Sequence, residues 1–326
     1  MSMADSTSRR WWIVAAIGAF LAAVVLGVMI GPAGRVSSAN WGIIWNVRMP
    51  RVALAAIVGA MLSLAGASYQ GVFRNPLVDP YLLGVAAGAG LGATIIFAVG
   101  RESTHGWPVD PLPVVSFVGG LVAVMITYLV GAAFGASRSS VTLVLAGVAV
   151  VSLFTAIQTF VLQRNNDVIR EVYSWILGRV STATWADVRL VLPYVVVCSV
   201  VLLLHSRHLD LFRVGDDEAA SLGSDVARVR VIVVIAATMG TAAVVSVSGL
   251  IGFVGVIIPH AVRLLAGASY RRVLPLSLVV GATFLILVDI PGRVLQKPAE
   301  TPIGVVTAFV GAPFFIVLLR SRKAVT

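Results

Sequence analysis

Apolar residues in this chain come in long runs rather than in the narrow stripe of a water-soluble amphipathic helix. Ten runs can be read, at about 11–30, 52–73, 82–99, 113–135, 141–162, 189–205, 229–248, 250–266, 273–291 and 303–320. A helix needs roughly 20 apolar residues to cross about 30 Å of hydrocarbon, and most of the runs reach that length. The pattern predicts an all-α polytopic membrane protein with about ten transmembrane helices, a single domain over residues 1–326. The alternative of buried helices in a large soluble protein fails, because so many runs leave too little polar surface to face water.

The polar breaks between runs are short. The sharpest is Arg74-Asn75-Pro76-Leu77-Val78-Asp79-Pro80. Its two prolines cannot share one helix, since each removes a backbone N–H and clashes with the preceding turn. Asn-Pro and Asp-Pro both initiate turns, so the segment reads as a tight knot between two spans. The longest break is about 207–228, in which Asp216, Asp217 and Glu218 precede Ala219-Ala220-Ser221-Leu222-Gly223. Three carboxylates complement a helix N-terminus and glycine suits the residue after its end, so a short amphipathic helix is predicted there. Outside the main spans, 38–47 and 170–178 read as interfacial helices.

Composition agrees. The chain is 59% hydrophobic and 12% charged, against about 25% charged in a soluble domain. The net charge of +10 would suggest nucleic acid in a soluble protein. Here it reads instead as loops facing anionic lipid and protein partners. Ser8-Arg9-Arg10-Trp11-Trp12 followed by an apolar run resembles a twin-arginine export signal. However, Ile13–Ile30 exceeds the 7–15 residues of a cleaved signal core, so it reads as a first span with a cytoplasmic basic flank.

With the N-terminus inside and ten alternating spans, 14 of the 24 basic residues fall on inner segments, a modest positive-inside bias. Arg48, Arg51 and Arg293 then face outward, unexplained by orientation. Trp41, Trp45, Trp107, Trp175 and Trp185 fall near the outer interface and Trp11 with Trp12 near the inner one, as in an aromatic belt. Asp289 is the one carboxylate close to a span interior, where Arg293 would partly neutralise it.

Three ordered blocks carry a family resemblance. The first runs from Gly59-Ala60-Met61-Leu62 through Gly66, Gln70 and the knot to Leu83-Gly84-Val85 and Gly88-Ala89. The second is Gly249-Leu250-Ile251-Gly252-Phe253-Val254-Gly255 through Pro259-His260 to Arg263, and the third is Glu300-Thr301-Pro302-Ile303-Gly304-Val305 with Gly311-Ala312-Pro313. Together they resemble the FecCD family, the permease subunits of bacterial ABC importers for ferric siderophores, haem and cobalamin. The resemblance implies a homodimer in the bacterial inner or cytoplasmic membrane, two ATP-binding cassette subunits inside and an extracytoplasmic binding protein outside. It implies that Arg48, Arg51 and Arg293 dock that binding protein. It places a cytoplasmic gate at Asn75, Pro76, Leu77, Val78 and Asp79 together with Ser139, Ser140, Val141 and Thr142. It makes Asp216, Asp217, Glu218, Ala219, Ala220, Ser221, Leu222 and Gly223 the segment that couples to the ATPase, and a metal chelate the cargo.

Nothing in the chain suggests catalysis or a resident cofactor. No GxxxxGK[ST] loop exists to cradle phosphate, so ATP is not bound by that route. His105, His205, His208 and His260 stand at no metal-ligand spacing with another ligand, and the single Cys198 lies within an apolar run. A proton- or sodium-driven carrier is the competing class; it usually needs ionisable groups in mid-membrane, and only Asp289 qualifies.

Overall fold

The computed structural model describes residues 3–31, 41–100, 110–133, 140–223, 225–295 and 299–323. In chain order its helices are α1 (Met3–Met29), α2 (Trp41–Ile43), α3 (Met49–Val72), α4 (Val85–Val99), α5 (Pro111–Ala133), α6 (Ser140–Arg164) and α7 (Ile169–Ile176). They continue as α8 (Trp185–Leu204), α9 (Ser206–Leu211), α10 (Asp216–Ser221), α11 (Val226–Ser248), α12 (Val254–Ala266), α13 (Tyr270–Val294) and α14 (Ile303–Lys323). A π-helical turn, Ile44–Arg48, joins α2 to α3, so the chain enters the first central helix without a break.

Each expected span lies on a helix, but the ten are not alike. Among the described residues, seven helical stretches are long and apolar enough to cross a membrane, while α4, α12 and the apolar part of α14 are shorter. At 1.5 Å per residue, α4 and α12 reach only about 20 Å, short of about 30 Å of hydrocarbon. Both follow non-helical segments, 73–84 and 249–253.

The fold is organised around α3. Its most apolar stretch is 83% buried, against 11% for α1, which rides on the periphery. Glycines bring backbones together where helices cross: a Cβ on Gly59 would run into the Gly281 carbonyl of α13, and one on Gly88 into the Gly119 carbonyl of α5. Such close approach replaces the missing hydrophobic drive with van der Waals contact. Around it pack Leu62, Leu64, Tyr69, Val234, Val244, Ile258 and Leu285, all buried.

Among the described residues, one of the tryptophans read as a belt behaves differently from the others. Trp41 and Trp45 are exposed, and Trp185 donates its indole N–H to the Trp45 carbonyl at 2.8 Å. Trp175 is instead only 1% exposed. The interfacial helix expected at 170–178 does form as α7, but it turns Val172 and Trp175 onto the core.

Candidate functional site

The short helices follow two breaks in the membrane region. Met61 of α3 packs on Gly240 of α11, and Gly66 of α3 on Gly255 of α12. Residues 249–253 between α11 and α12 are non-helical, with Gly249 and Phe253 both at positive φ. Non-helical backbone between membrane helices must be satisfied inside the protein. The Ser248 carbonyl accepts from the Arg179 N–H at 2.7 Å. The Tyr81 hydroxyl serves Ile251 twice, accepting from its N–H and donating to its carbonyl, both at 3.0 Å. Tyr81 belongs to the other break, 73–84, so one phenol joins the two.

The only described non-glycine residues with positive φ flank these breaks: Arg74 (φ 50°) opens the first and Phe253 (φ 70°) closes the second. Between Arg74 and α4 the knot forms by local chemistry. The Asn75 side-chain oxygen accepts from the Leu77 N–H at 3.0 Å and Asp79 Oδ1 accepts from the Tyr81 N–H at 2.8 Å. Both are Asx turns, the conformation Asn and Asp favour. Asn75 is exposed, Pro76, Leu77 and Asp79 are half-buried, and Val78 is 3% exposed. Gln70 of α3 pins the knot from behind, donating to the Val78 carbonyl at 3.3 Å and the Gly255 carbonyl at 3.0 Å. Its own side-chain oxygen accepts from Arg263 of α12. Burial pushes the Asp79 carboxyl up to about 6, with the Tyr81 N–H pulling the other way. Of the second expected gate segment, Ser139 lies outside the described residues, Ser140 and Val141 begin α6, and Thr142 is half-buried.

The expected short helix is present as α10, and Gly223 follows it with φ 84°. Asp217, Glu218, Ala220, Ser221, Leu222 and Gly223 are exposed; Ala219 is buried. Leu222 and Val214 are exposed apolar side chains at 65% and 60%. The segment is anchored at two points. Asp210 accepts from the Ser269 hydroxyl at 2.7 Å and the Tyr270 N–H at 2.6 Å. Asp216, the first residue of α10, lies between Arg74 at 3.0 Å and Arg230 of α11 at 2.9 Å. The first residue of the knot is thereby joined to the first residue of the short helix.

At the opposite end, Arg48, Arg51 and Arg293 come together, but inside the chain, at 6%, 6% and 1% exposure. Arg51 grips Asp289 in a two-pronged pair at 2.9 and 2.8 Å and reaches Glu300 at 2.8 Å. Arg293 pairs with the same Asp289 at 2.5 Å and donates to the carbonyls of Gly27 and Ile30. Arg48 donates to the carbonyls of Val28 and Met29, each at 3.0 Å. The last carbonyls of a helix have no intrahelical partner and carry partial negative charge. Two of the three arginines thus cap α1. The neutralisation of Asp289 by Arg293 is as read from the sequence. Glu300, known only as part of a motif, proves to be the second partner of Arg51.

An open, apolar groove of about 590 Å³ runs beside α14, lined by Leu177, Leu250, Gly252, Gly304, Ala308 and Ala312 among others. Its small lining residues are Gly252, from the break before α12, and Gly304, Ala308 and Ala312 of α14. Among the described residues, no group of three or more His, Cys, Asp or Glu could hold a metal ion.

A family model described as the FecCD transport family matches residues 11–321. The uncharacterized ABC transporter permease protein YvrB of Bacillus subtilis (strain 168) is 40% identical over 285 residues, covering 86% of this chain and 80% of its own. The cobalamin import system permease protein BtuC of Halobacterium salinarum is 40% identical over 281 residues, covering 86% and 74%. A solved inward-facing conformation of a metal-chelate type ABC transporter superposes with a TM-score of 0.85 at 31% identity, covering 94% of this chain and 98% of that one.

Proposed function

Because the chain belongs to the FecCD transport family, we propose that it is the permease subunit of an ATP-driven importer that carries a metal chelate across the bacterial inner or cytoplasmic membrane. Ferric siderophore or haem is the cargo class, with cobalamin as the alternative that the Halobacterium relative favours. Two copies face each other across the groove beside α14, whose small apolar lining lets a bulky ligand pass without holding it. Two ATP-binding cassette subunits sit on the cytoplasmic face around α10, and a binding protein delivers the ligand outside.

The observation that carries this reading is the Arg74–Asp216–Arg230 bridge. An importer must convey nucleotide-driven closure of its ATPase to a distant gate, and a rigid helix tied to the gate loop is a means of doing so. Exposed Leu222 and Val214 supply apolar grip for the ATPase. On the outer face, Arg48, Arg51 and Arg293 serve docking by exchanging partners: acidic residues of the binding protein take over guanidinium groups now held by Asp289, Glu300 and the α1 carbonyls. The competing carrier reading needs a mid-membrane group free to change its charge, and two guanidinium groups already hold Asp289.

The test is uptake into vesicles containing the permease and its ATPase, with the binding protein loaded with the ligand it co-purifies with. Uptake should require ATP and be indifferent to a proton or sodium gradient; gradient-driven uptake without ATP overturns the reading. A cysteine at Asn75, with Cys198 replaced, should cross-link between two copies and block uptake until reduced. Asn75 is the better probe than Val78, whose side chain points into the protein.

A further inference from the structure

At the end read as cytoplasmic, α1 stands away from the body and leaves a cleft of about 280 Å³ against the α12–α13 corner. Its apolar walls are Trp12, Ala16 and Ile17 of α1, with Leu265 of α12 and Pro275 and Val279 of α13. Arg271 and Arg272 line the same cleft. Val279 is nine residues into α13, so the cleft rises about 14 Å, roughly the thickness of one leaflet's hydrocarbon. It shares no lining residue with the groove beside α14.

The charge at its mouth is unbalanced. Arg272 makes no ion pair among the described residues, and Arg271 stands 4.0 Å from Asp210 with its side chain 58% exposed. Asp210 is the carboxylate facing this pair, and it is already committed to the Ser269 hydroxyl and the Tyr270 N–H. An apolar slot of one-leaflet height, with two permanent positive charges at the headgroup level and an interfacial tryptophan beside them, fits one kind of occupant.

We propose that this cleft is a binding site for an anionic phospholipid of the inner leaflet, its acyl chain between α1 and α13 and its phosphate on Arg271 and Arg272. The arginine pair supplies the preference for negative charge, as basic pockets between membrane helices do. Guanidinium suits the task, being always charged and able to grip phosphate through two N–H groups. The lipid closes a gap that the chain leaves open, and it fixes the inner end of α1, the least buried of the long spans.

The test uses the full-length permease and two probes of matched chain length, phosphatidylglycerol and phosphatidylcholine. Native mass spectrometry should show the anionic lipid retained about tenfold more strongly. The pair Arg271→Gln with Arg272→Gln should bring that ratio close to one, while Arg228→Gln, another exposed inner arginine, leaves it unchanged. Quenching by phosphatidylglycerol brominated in its chains gives a readout in which these arginines are intact: the part lost in Trp12→Phe should exceed that seen with brominated phosphatidylcholine. Equal retention of the two lipids, or a ratio that survives the Gln pair, overturns the proposal. So does a Gln pair that keeps its lipid preference but loses co-purification with the ATPase, which would make this a protein contact.

Discussion

Among the described residues, two carboxylates are each held within 3.0 Å by two arginines, one at either end of the membrane region. Asp289 joins Arg51 and Arg293, with side chains 2%, 8% and 1% exposed. Asp216 joins Arg74 and Arg230, with side chains 39%, 43% and 22% exposed. The chemistry is the same and the surroundings are not. Removing one partner from a buried pair strands a charge and costs about 3–5 kcal/mol, whereas an exposed pair contributes about 0–1 kcal/mol because water competes for both ions. The outer triad is therefore a clamp that the fold depends on, and the inner one a latch that can open within a transport cycle. A latch suits a joint between a gate and its drive, where a clamp would hold the gate in one state.

The largest effect should come from breaking the clamp. Asp289→Ala leaves two buried guanidinium groups short of a partner, and should cost about 3–5 kcal/mol, read as a fall in thermal unfolding temperature and in membrane yield. Arg51→Glu should be as damaging, since it sets a third carboxylate beside Asp289 and Glu300. Charge reversal at these arginines therefore tests folding before it tests docking, and a milder Glu300→Gln, at the 26%-exposed edge, is the better probe of binding-protein affinity. Wild-type stability in Asp289→Ala would show that the clamp is dispensable.

A third carboxylate sharpens the comparison by lacking the arginines. Asp79 has only the Tyr81 N–H, and burial raises its pKa from 3.8 to about 6. A raised carboxyl contributes stability at low pH, because the folded state keeps its proton where the unfolded state has lost it. That contribution is complete below about pH 4 and is lost as pH rises through about 6. Asp79→Asn preserves the acceptor and cannot ionise, so it should gain on the wild type across this window by about 1–3 kcal/mol. Unfolding curves at pH 4 and pH 7 measure it; a constant difference between the two proteins refutes the buried-carboxyl account.

What could be read in the sequence follows the range of the interactions. The apolar helices were legible because long apolar runs are a local signal, and the turns of the knot because Asn-Pro and Asp-Pro act within three residues. The three outer arginines were legible as outward-facing but not as clamped. Arg51 meets Asp289 and Glu300 across 238 and 249 residues, and no pattern of spacing connects positions that far apart. The clasp of Gln70 on Arg263 was hidden in the same way, although both residues stood in the motifs that carry the resemblance. The burial of Trp175 was not legible, because an interfacial tryptophan and a core tryptophan look alike until the helix that bears them is oriented.

The smallest stability effect and the most telling functional one belong to the latch. Asp216→Ala and Arg74→Ala should each change unfolding stability by less than about 1 kcal/mol, as exposed pairs do. If Asp216 conveys movement of α10 to the knot, each variant should keep ATP hydrolysis while moving fewer ligands per ATP. The double variant should be no worse than the poorer single one, since both remove the same link, whereas independent roles would multiply the losses. Arg230→Ala supplies the control for orientation: it leaves the bond to Arg74 in place and frees Asp216 from α11, so uptake per ATP should fall less than in Arg74→Ala. Normal uptake per ATP in both Asp216→Ala and Arg74→Ala would leave the inner triad a solvated ion pair, and the drive would then have to reach the gate through α9 and the Asp210 anchor on α13.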